Sequence, residues 1–63
     1  MARIYERVCN NGIKVGLYKR TDTTDLPYVV KRGNAIIVEA ANLGDANREY
    51  HSRVAKEDDL GIF

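Results

Sequence analysis

The chain has 63 residues, of which 44% are hydrophobic and 30% are charged, and its formal net charge is +1. This length allows one domain, which buries only about 60% of the surface that its unfolded chain exposes. The single cysteine excludes an intramolecular disulfide, and one cysteine with one histidine cannot complete an all-Cys/His zinc site, which needs about four ligands. We therefore expect no cofactor, and we predict a homo-oligomer because self-association is the remaining support for so small a domain.

No secretory signal is recognisable after Met1, and no apolar run approaches the roughly 20 residues that span a membrane. A single thiol without an export signal favours a reducing, intracellular setting. These features predict a cytoplasmic protein with no membrane partner.

The first 20 residues predict a β-hairpin. Residues 3–9 and 13–20 alternate in polarity around Asn11-Gly12, and Asn-Gly favours a type I′ turn because both residues tolerate positive φ. With this pair at the turn, Tyr5 is expected opposite Tyr18. One predicted face holds Ile4, Glu6, Val8, Ile13, Val15, Leu17 and Lys19. The other holds Arg3, Tyr5, Arg7, Lys14, Gly16, Tyr18 and Arg20.

The second of these faces is basic and aromatic, in the half of the chain that carries the positive charge. An anionic ligand would relieve the repulsion between its cations. Guanidinium groups bind phosphates, tyrosine rings stack on unpaired bases, and a two-stranded ribbon fits the major groove of DNA. The alternative is an ordinary exposed face whose cations protect a sheet from aggregation. The candidate nucleic-acid-binding residues are Arg3, Tyr5, Arg7, Lys14, Tyr18 and Arg20.

The middle of the chain predicts a loop and a second hairpin. Residues 21–27 are polar and end at the only proline, and residues 28–39 form two short apolar runs around Gly33-Asn34, a pair compatible with a type II′ turn. Both faces of this hairpin are apolar, so it is either covered on both sides or part of a subunit interface. One face holds Tyr28, Val30 and Ile37, and the other holds Val29, Ile36 and Val38.

From residue 42 the spacing of apolar residues becomes helical. Asn42 is the expected N-cap, with Asp45 near the positive end of the helix dipole. The apolar stripe consists of Leu43, Ala46, Tyr50 and Val54. The predicted fold is α+β, a small antiparallel sheet of two hairpins with one C-terminal helix in the order β-β-β-β-α, and residues 1–57 form this domain.

This order of strands and helix resembles the arm-type DNA-binding domains at the start of phage integrases, which place a three-stranded sheet on one helix. The resemblance covers about residues 13–54 and rests on Tyr28-Val29-Val30, the Gly33-Asn34 turn and the helical spacing of Leu43, Ala46 and Tyr50. It implies DNA binding by a stand-alone relative encoded by a phage or mobile element, because no catalytic or core-binding region follows.

Residues 58–63 predict a loose acidic tail that ends in apolar side chains. The tail resembles two docking peptides of bacterial DNA replication, the end of the single-stranded-DNA-binding protein and the pentapeptide that binds the sliding clamp. The resemblance implies that Leu60, Ile62 and Phe63 enter an apolar pocket of a protein partner while the acids meet its basic rim. The alternative is that Phe63 folds back onto the core of its own chain.

Catalysis has little support in the sequence. Cys9 and His51 would form a nucleophile–base pair without a third member, and the five glycines are too scattered for a phosphate-binding loop. We predict a small non-enzymatic accessory or regulatory protein that binds nucleic acid. The alternative is a protein-binding inhibitor or adaptor that acts through its tail or its exposed hairpin.

Overall fold

The computed structural model describes residues 1–22 and 25–60, with the backbone alone for Leu60. Within them lie four strands and one helix: β1 (Ala2–Val8), β2 (Lys14–Lys19), β3 (Tyr28–Arg32), β4 (Ala35–Ala40) and α1 (Leu43–Leu60). The strands form one antiparallel sheet in the order β1-β2-β3-β4, so β1 and β4 are its edges. The predicted α+β fold and element order are confirmed, and both hairpins belong to the same sheet.

The core lies between α1 and one face of the sheet. Apolar side chains from the strands meet the helical stripe here, and complete burial of one such side chain stabilises the fold by about 1.5–3 kcal/mol. The predicted stripe is confirmed at Ala46, Tyr50 and Val54, whereas Leu43 in the first turn is exposed. The buried cluster consists of Cys9, Val15, Leu17, Val30, Ala40, Ala46 and Tyr50.

The first hairpin closes through a three-residue loop. Gly12 N–H donates to Cys9 O and Cys9 N–H donates to Ile13 O, each over 2.9 Å. Gly12 has a φ of 83°, while no non-glycine residue in the described chain has a positive φ. Asn11 therefore cannot occupy a type I′ position, and the loop matches a type I turn followed by a glycine bulge. The predicted type I′ turn is wrong.

The longer loop moves β1 by one residue against β2. Tyr5 pairs with Leu17 rather than with Tyr18. Because successive side chains point to opposite faces, this shift exchanges the faces of residues 5–8. An irregularity between Arg3 and Tyr5 leaves Arg3 paired with Tyr18, on its predicted face. Tyr5 and Arg7 consequently lie on the side of α1, and the predicted grouping of β1 with β2 is wrong. The side chains that the shift moves to the opposite side of the sheet are Glu6 and Val8.

The second hairpin has the predicted turn. Gly33 has a φ of 61° and Asn34 does not have a positive φ, which is the pattern of a type II′ turn. An irregularity then separates the Val30–Val38 pair from the next pair along the ladder. Val38 lies on the core side with Val30, not with Val29 as predicted.

The start of α1 is capped as predicted. The Asn42 side-chain oxygen accepts the Asp45 N–H over 2.9 Å, and its amide donates to the Asp45 carboxylate over 3.1 Å. These two bonds satisfy a backbone donor at the helix start and hold an acid near the positive end of the dipole.

The end of α1 lies beyond the predicted boundary at residue 57. Asp58 belongs to the helix, which includes residues up to Leu60, so the prediction of a loose tail is wrong for residues 58–60. The Asp58 carboxylate accepts hydrogen bonds from Arg7 over 3.0 Å and from Asn10 N–H over 2.9 Å. Residues 61–63, the rest of the predicted tail, lie outside the described residues.

Glu57 joins the last turns of α1 to both hairpins. Its side chain is 1% exposed, and its carboxylate accepts hydrogen bonds from Asn11 Nδ2 and from Arg32 Nε. Arg53 Nη1 lies 3.8 Å away. The hydrogen bonds from Arg32 and Asn11 hold the pKa of Glu57 below its usual range. These donors also compensate for an acid near the C-terminal end of the helix, where the dipole disfavours negative charge.

Candidate functional site

The six predicted nucleic-acid-binding residues do not share one face. Tyr5 stacks on Tyr50 of α1 with ring centroids 5.8 Å apart, and Arg7 Nη2 is 3.0 Å from Asp58 Oδ2. These two residues lie on the side of α1, so the prediction of a single basic face is wrong in its geometry. The other four project from the opposite side, which we term the helix-free face: Arg3, Lys14, Tyr18 and Arg20.

Tyr18 lies on the central strand β2, in the middle of the helix-free face. A Cβ on Gly16 would be 2.6 Å from the Tyr18 hydroxyl oxygen and 2.7 Å from Cζ, so the ring occupies the space above this glycine. The hydroxyl donates to Glu6 Oε2 over 2.7 Å, and this hydrogen bond raises the pKa of Tyr18. The hydroxyl end of the ring is thus held beside Gly16 and Glu6.

Three donors converge on the carboxylate of Glu6. Besides the Tyr18 hydroxyl, Arg3 Nη1 lies 3.5 Å and Lys14 Nζ 3.7 Å from its carboxylate. The hydrogen bond from Tyr18, followed by the charges of Lys14 and Arg3, lowers the pKa of Glu6. The register shift of β1 creates this cluster, because it places Glu6 opposite Gly16. The alternation of residues 3–9 predicts Glu6 on the other face, so this placement is a correction.

The rest of the helix-free face comes from β3 and β4. Lys31 Nζ lies 5.5 Å from the centre of the Tyr18 ring, within the range of a cation–π contact. Arg20 Nη1 is 2.8 Å from Glu39 Oε2. Val29 is fully buried between the strand neighbours Tyr18 and Glu39. Lys31 was missed from the sequence, because its place beside Gly16 depends on the pairing of β2 with β3.

The helix-free face is basic in sum. Four cations surround one tyrosine ring, and two acids each hold one or two of those cations. Ion pairs between exposed side chains contribute little, so Arg3 and Lys14 stay available to an anionic ligand. The Arg20 side chain is only 21% exposed and is held by Glu39 and by the Leu26 carbonyl. The ionisable and aromatic residues of this face are Arg3, Glu6, Lys14, Tyr18, Arg20, Lys31 and Glu39.

Cys9 and His51, the pair considered for catalysis, do not include an activated thiol. Cys9 is buried and free, and its burial raises its pKa. A catalytic cysteine needs the opposite shift, because the thiolate is the nucleophile. His51 is exposed and packs edge-on against Tyr50, with ring centroids 5.3 Å apart. Over residues 1–22 and 25–60, no three side chains of His, Cys, Asp or Glu converge in a way that would hold a metal ion.

A small cavity lies between β4 and α1. Its volume is about 30 Å³, enough for ordered water but not for an organic ligand. The cavity is lined by Val38, Glu49, Ser52, Arg53 and Lys56.

In the part of the chain that the structure describes, α1 is the single helix, and it lacks the apolar length needed to cross a membrane.

The predicted protein-docking residues are Leu60, Ile62 and Phe63. Leu60 is the last residue of α1 and its side chain is not described, and the other two lie outside the described residues.

A scan against protein-family models, a search of curated proteins and a search of solved structures found no match to this chain. The likeness to integrase arm-type domains and to docking peptides therefore stays a prediction from sequence.

Proposed function

We propose that this chain is a small non-enzymatic accessory or regulatory protein that binds nucleic acid through the helix-free face of its sheet. The observation that carries the proposal is the Tyr18 ring, held beside Gly16 and Glu6, with Arg3, Lys14, Arg20 and Lys31 on the same face. Phosphates pair with the cations, and a base stacks on the ring in place of the flexible Lys31 side chain. The proposal includes a cytoplasmic location, where such a ligand is within reach.

The geometry favours a single strand over a duplex. The first hairpin is not a free ribbon, because β2 also pairs with β3 along its other edge. Four strands at about 4.8 Å spacing present a face wider than the roughly 12 Å major groove of B-DNA. An unpaired base, in contrast, exposes the π surface that a tyrosine ring binds, and stacking contributes about 1–3 kcal/mol per base.

Fluorescence anisotropy with a labelled single strand of about 16 nucleotides tests the proposal, since single-strand binding folds cover about 4–16 nucleotides. The variant Lys14→Ala/Lys31→Ala should bind more weakly, and its salt dependence should flatten by about 0.7 in log–log slope for each lost phosphate contact. The matched control Arg48→Ala/Lys56→Ala removes the same charge from exposed positions on α1. Equal losses in both variants, or no wild-type binding at low salt, would contradict the proposal.

The second candidate function is a protein-binding inhibitor or adaptor. It is favoured by β4, an edge strand on which Ile36 is 41% exposed. An unpaired apolar edge can accept a strand from a partner protein. A pull-down from bacterial lysate with and without nuclease distinguishes the two proposals. A partner that survives nuclease treatment and is lost with Ile36→Lys or Phe63→Ala supports the adaptor, whereas material lost on nuclease treatment supports nucleic-acid binding.

A further inference from the structure

We infer that Glu6 occupies, in the free protein, the position at which the helix-free face binds a phosphate group of a single-stranded nucleic acid. Glu6 is then an internal competitor that sets how tightly the ligand binds. This inference rests on the proposed function and adds to it the location of a phosphate site and the residue that fills that site.

The donors around Glu6 are the kind that a phosphate requires. The Tyr18 hydroxyl contacts one carboxylate oxygen over 2.7 Å, while Arg3 Nη1 and Lys14 Nζ approach the other at 3.5 Å and 3.7 Å. Cations and a hydroxyl that converge on one oxyanion supply charge-assisted hydrogen bonds to a phosphate as well as to a carboxylate. The site adjoins the Tyr18 ring, so a base on the ring and its own phosphate at the hydroxyl end could be bound together.

The exposure of the cluster makes the exchange of Glu6 for a phosphate feasible. The side chains of Arg3 and Lys14 are 66% and 53% exposed, and that of Glu6 is 25% exposed. Water screens ion pairs at such positions, and ordering the long side chains costs conformational entropy, so little stability is lost when they change partner. Glu57 provides the contrast, since it also has three donors but is 1% exposed and therefore belongs to the core.

The charge of Glu6 opposes a phosphate that approaches the same donors. Two like charges in contact repel even in water, and more strongly beside a protein surface. When a phosphate binds, the Glu6 carboxylate must therefore either turn away from these donors or stay beside the phosphate against their repulsion. The substitution Glu6→Gln removes this charge and keeps an oxygen that can accept a hydrogen bond from the Tyr18 hydroxyl, so the position of the ring is retained.

The test compares Glu6→Gln with Glu49→Gln in the same anisotropy assay with a labelled single-stranded oligonucleotide. Both substitutions raise the net charge by one, but Glu49 is exposed on α1, which packs against the other side of the sheet. We expect Kd to fall about ten-fold for Glu6→Gln, the effect of about one repulsive contact. For Glu49→Gln we expect a change of less than about two-fold, because that charge is screened at a distance.

The outcomes separate this inference from the proposed function. If both variants tighten binding equally, or if Glu6→Gln weakens binding while the wild type binds, the inference is overturned and the proposed function stands. If neither the wild type nor Glu6→Gln binds at low salt, the proposed function fails and the inference fails with it. Thermal melting followed by circular dichroism checks that Glu6→Gln is folded, and Glu6→Asn provides a second neutral variant if it is not.

Discussion

The Tyr18 side chain fills the space above Gly16, and this predicts a strong coupling between the two residues. In the wild type, a methyl group added by Gly16→Ala would lie 2.6 Å and 2.7 Å from atoms of the Tyr18 ring, far inside the roughly 3.5 Å of ordinary contact. Such overpacking typically costs about 1–3 kcal/mol, and alanine regains about 0.5–1 kcal/mol over glycine in a strand. We expect Gly16→Ala to lower the free energy of unfolding by about 0.5–2 kcal/mol.

The effect of Gly16→Ala on the free energy of unfolding should change sign when the Tyr18 ring is absent. In a Tyr18→Ala background nothing occupies the space above Gly16, so Gly16→Ala should stabilise the fold by about 0.5–1 kcal/mol through the backbone alone. The coupling energy of the cycle is then about 1–3 kcal/mol, within the range found for residues in contact. Urea unfolding of the four proteins, followed by far-UV circular dichroism, measures it. The same effect of Gly16→Ala in both backgrounds would show that the ring does not cover Gly16, and the stacking surface of the proposed site would be lost.

Three further predictions concern the turn, the buried acid and the sheet edge. Gly12→Ala should lower the free energy of unfolding by about 1–2 kcal/mol because of the positive φ alone, since nothing lies within 4 Å of the added Cβ. Gly12→Asn should lower it by less. If urea unfolding finds the alanine variant as stable as the wild type, the assignment of the turn is contradicted. The pKa of Glu57 is lowered in the folded state, so its contribution to the free energy of unfolding is fully present above its unfolded pKa and is lost as the pH falls through the folded pKa. Glu57→Gln should therefore flatten the acid side of a plot of melting temperature against pH. An unchanged plot would mean that the donors around Glu57 are not engaged. The wild type should sediment as a homodimer at micromolar concentration and Ile36→Lys as a monomer, whereas a wild-type monomer at high concentration would refute association through β4.

Features whose signals lie within a few residues of one another could be predicted from the sequence. The type II′ turn at Gly33-Asn34 needs only a glycine at the first central position, and the cap of α1 needs only the side chains of Asn42 and Asp45. The order of four strands and one helix follows from the change in apolar spacing along the chain. Each of these predictions was confirmed, because local geometry is set by local sterics and hydrogen bonds.

The tertiary structure decided the turn of the first hairpin. Asn-Gly permits a type I′ turn, but in the folded protein Asn11 accepts the Ile13 N–H over 3.0 Å and donates to Glu57, 46 residues away. Those contacts accompany the three-residue loop. The loop brings Tyr5 onto Tyr50 and Arg7 onto Asp58, which the expected register would have directed away from α1. Such contacts cannot be found from local patterns, since they form only when both ends of the chain are in place.

The composition of the helix-free face was decided in the same way. Four of the six predicted residues lie on it. Glu6 lies there because of the register of β1, and Lys31 lies beside Gly16 because β2 pairs with β3. Residues 58–60 lack a helical apolar pattern, yet Arg7 and Asn10 bind Asp58 within α1. A strand alternates with a period of two, so a single residue of register decides which side of the sheet the side chains from Tyr5 to Val8 occupy. That choice depends on the free energy of long-range packing, which is summed over the whole fold and has no local signal in the sequence.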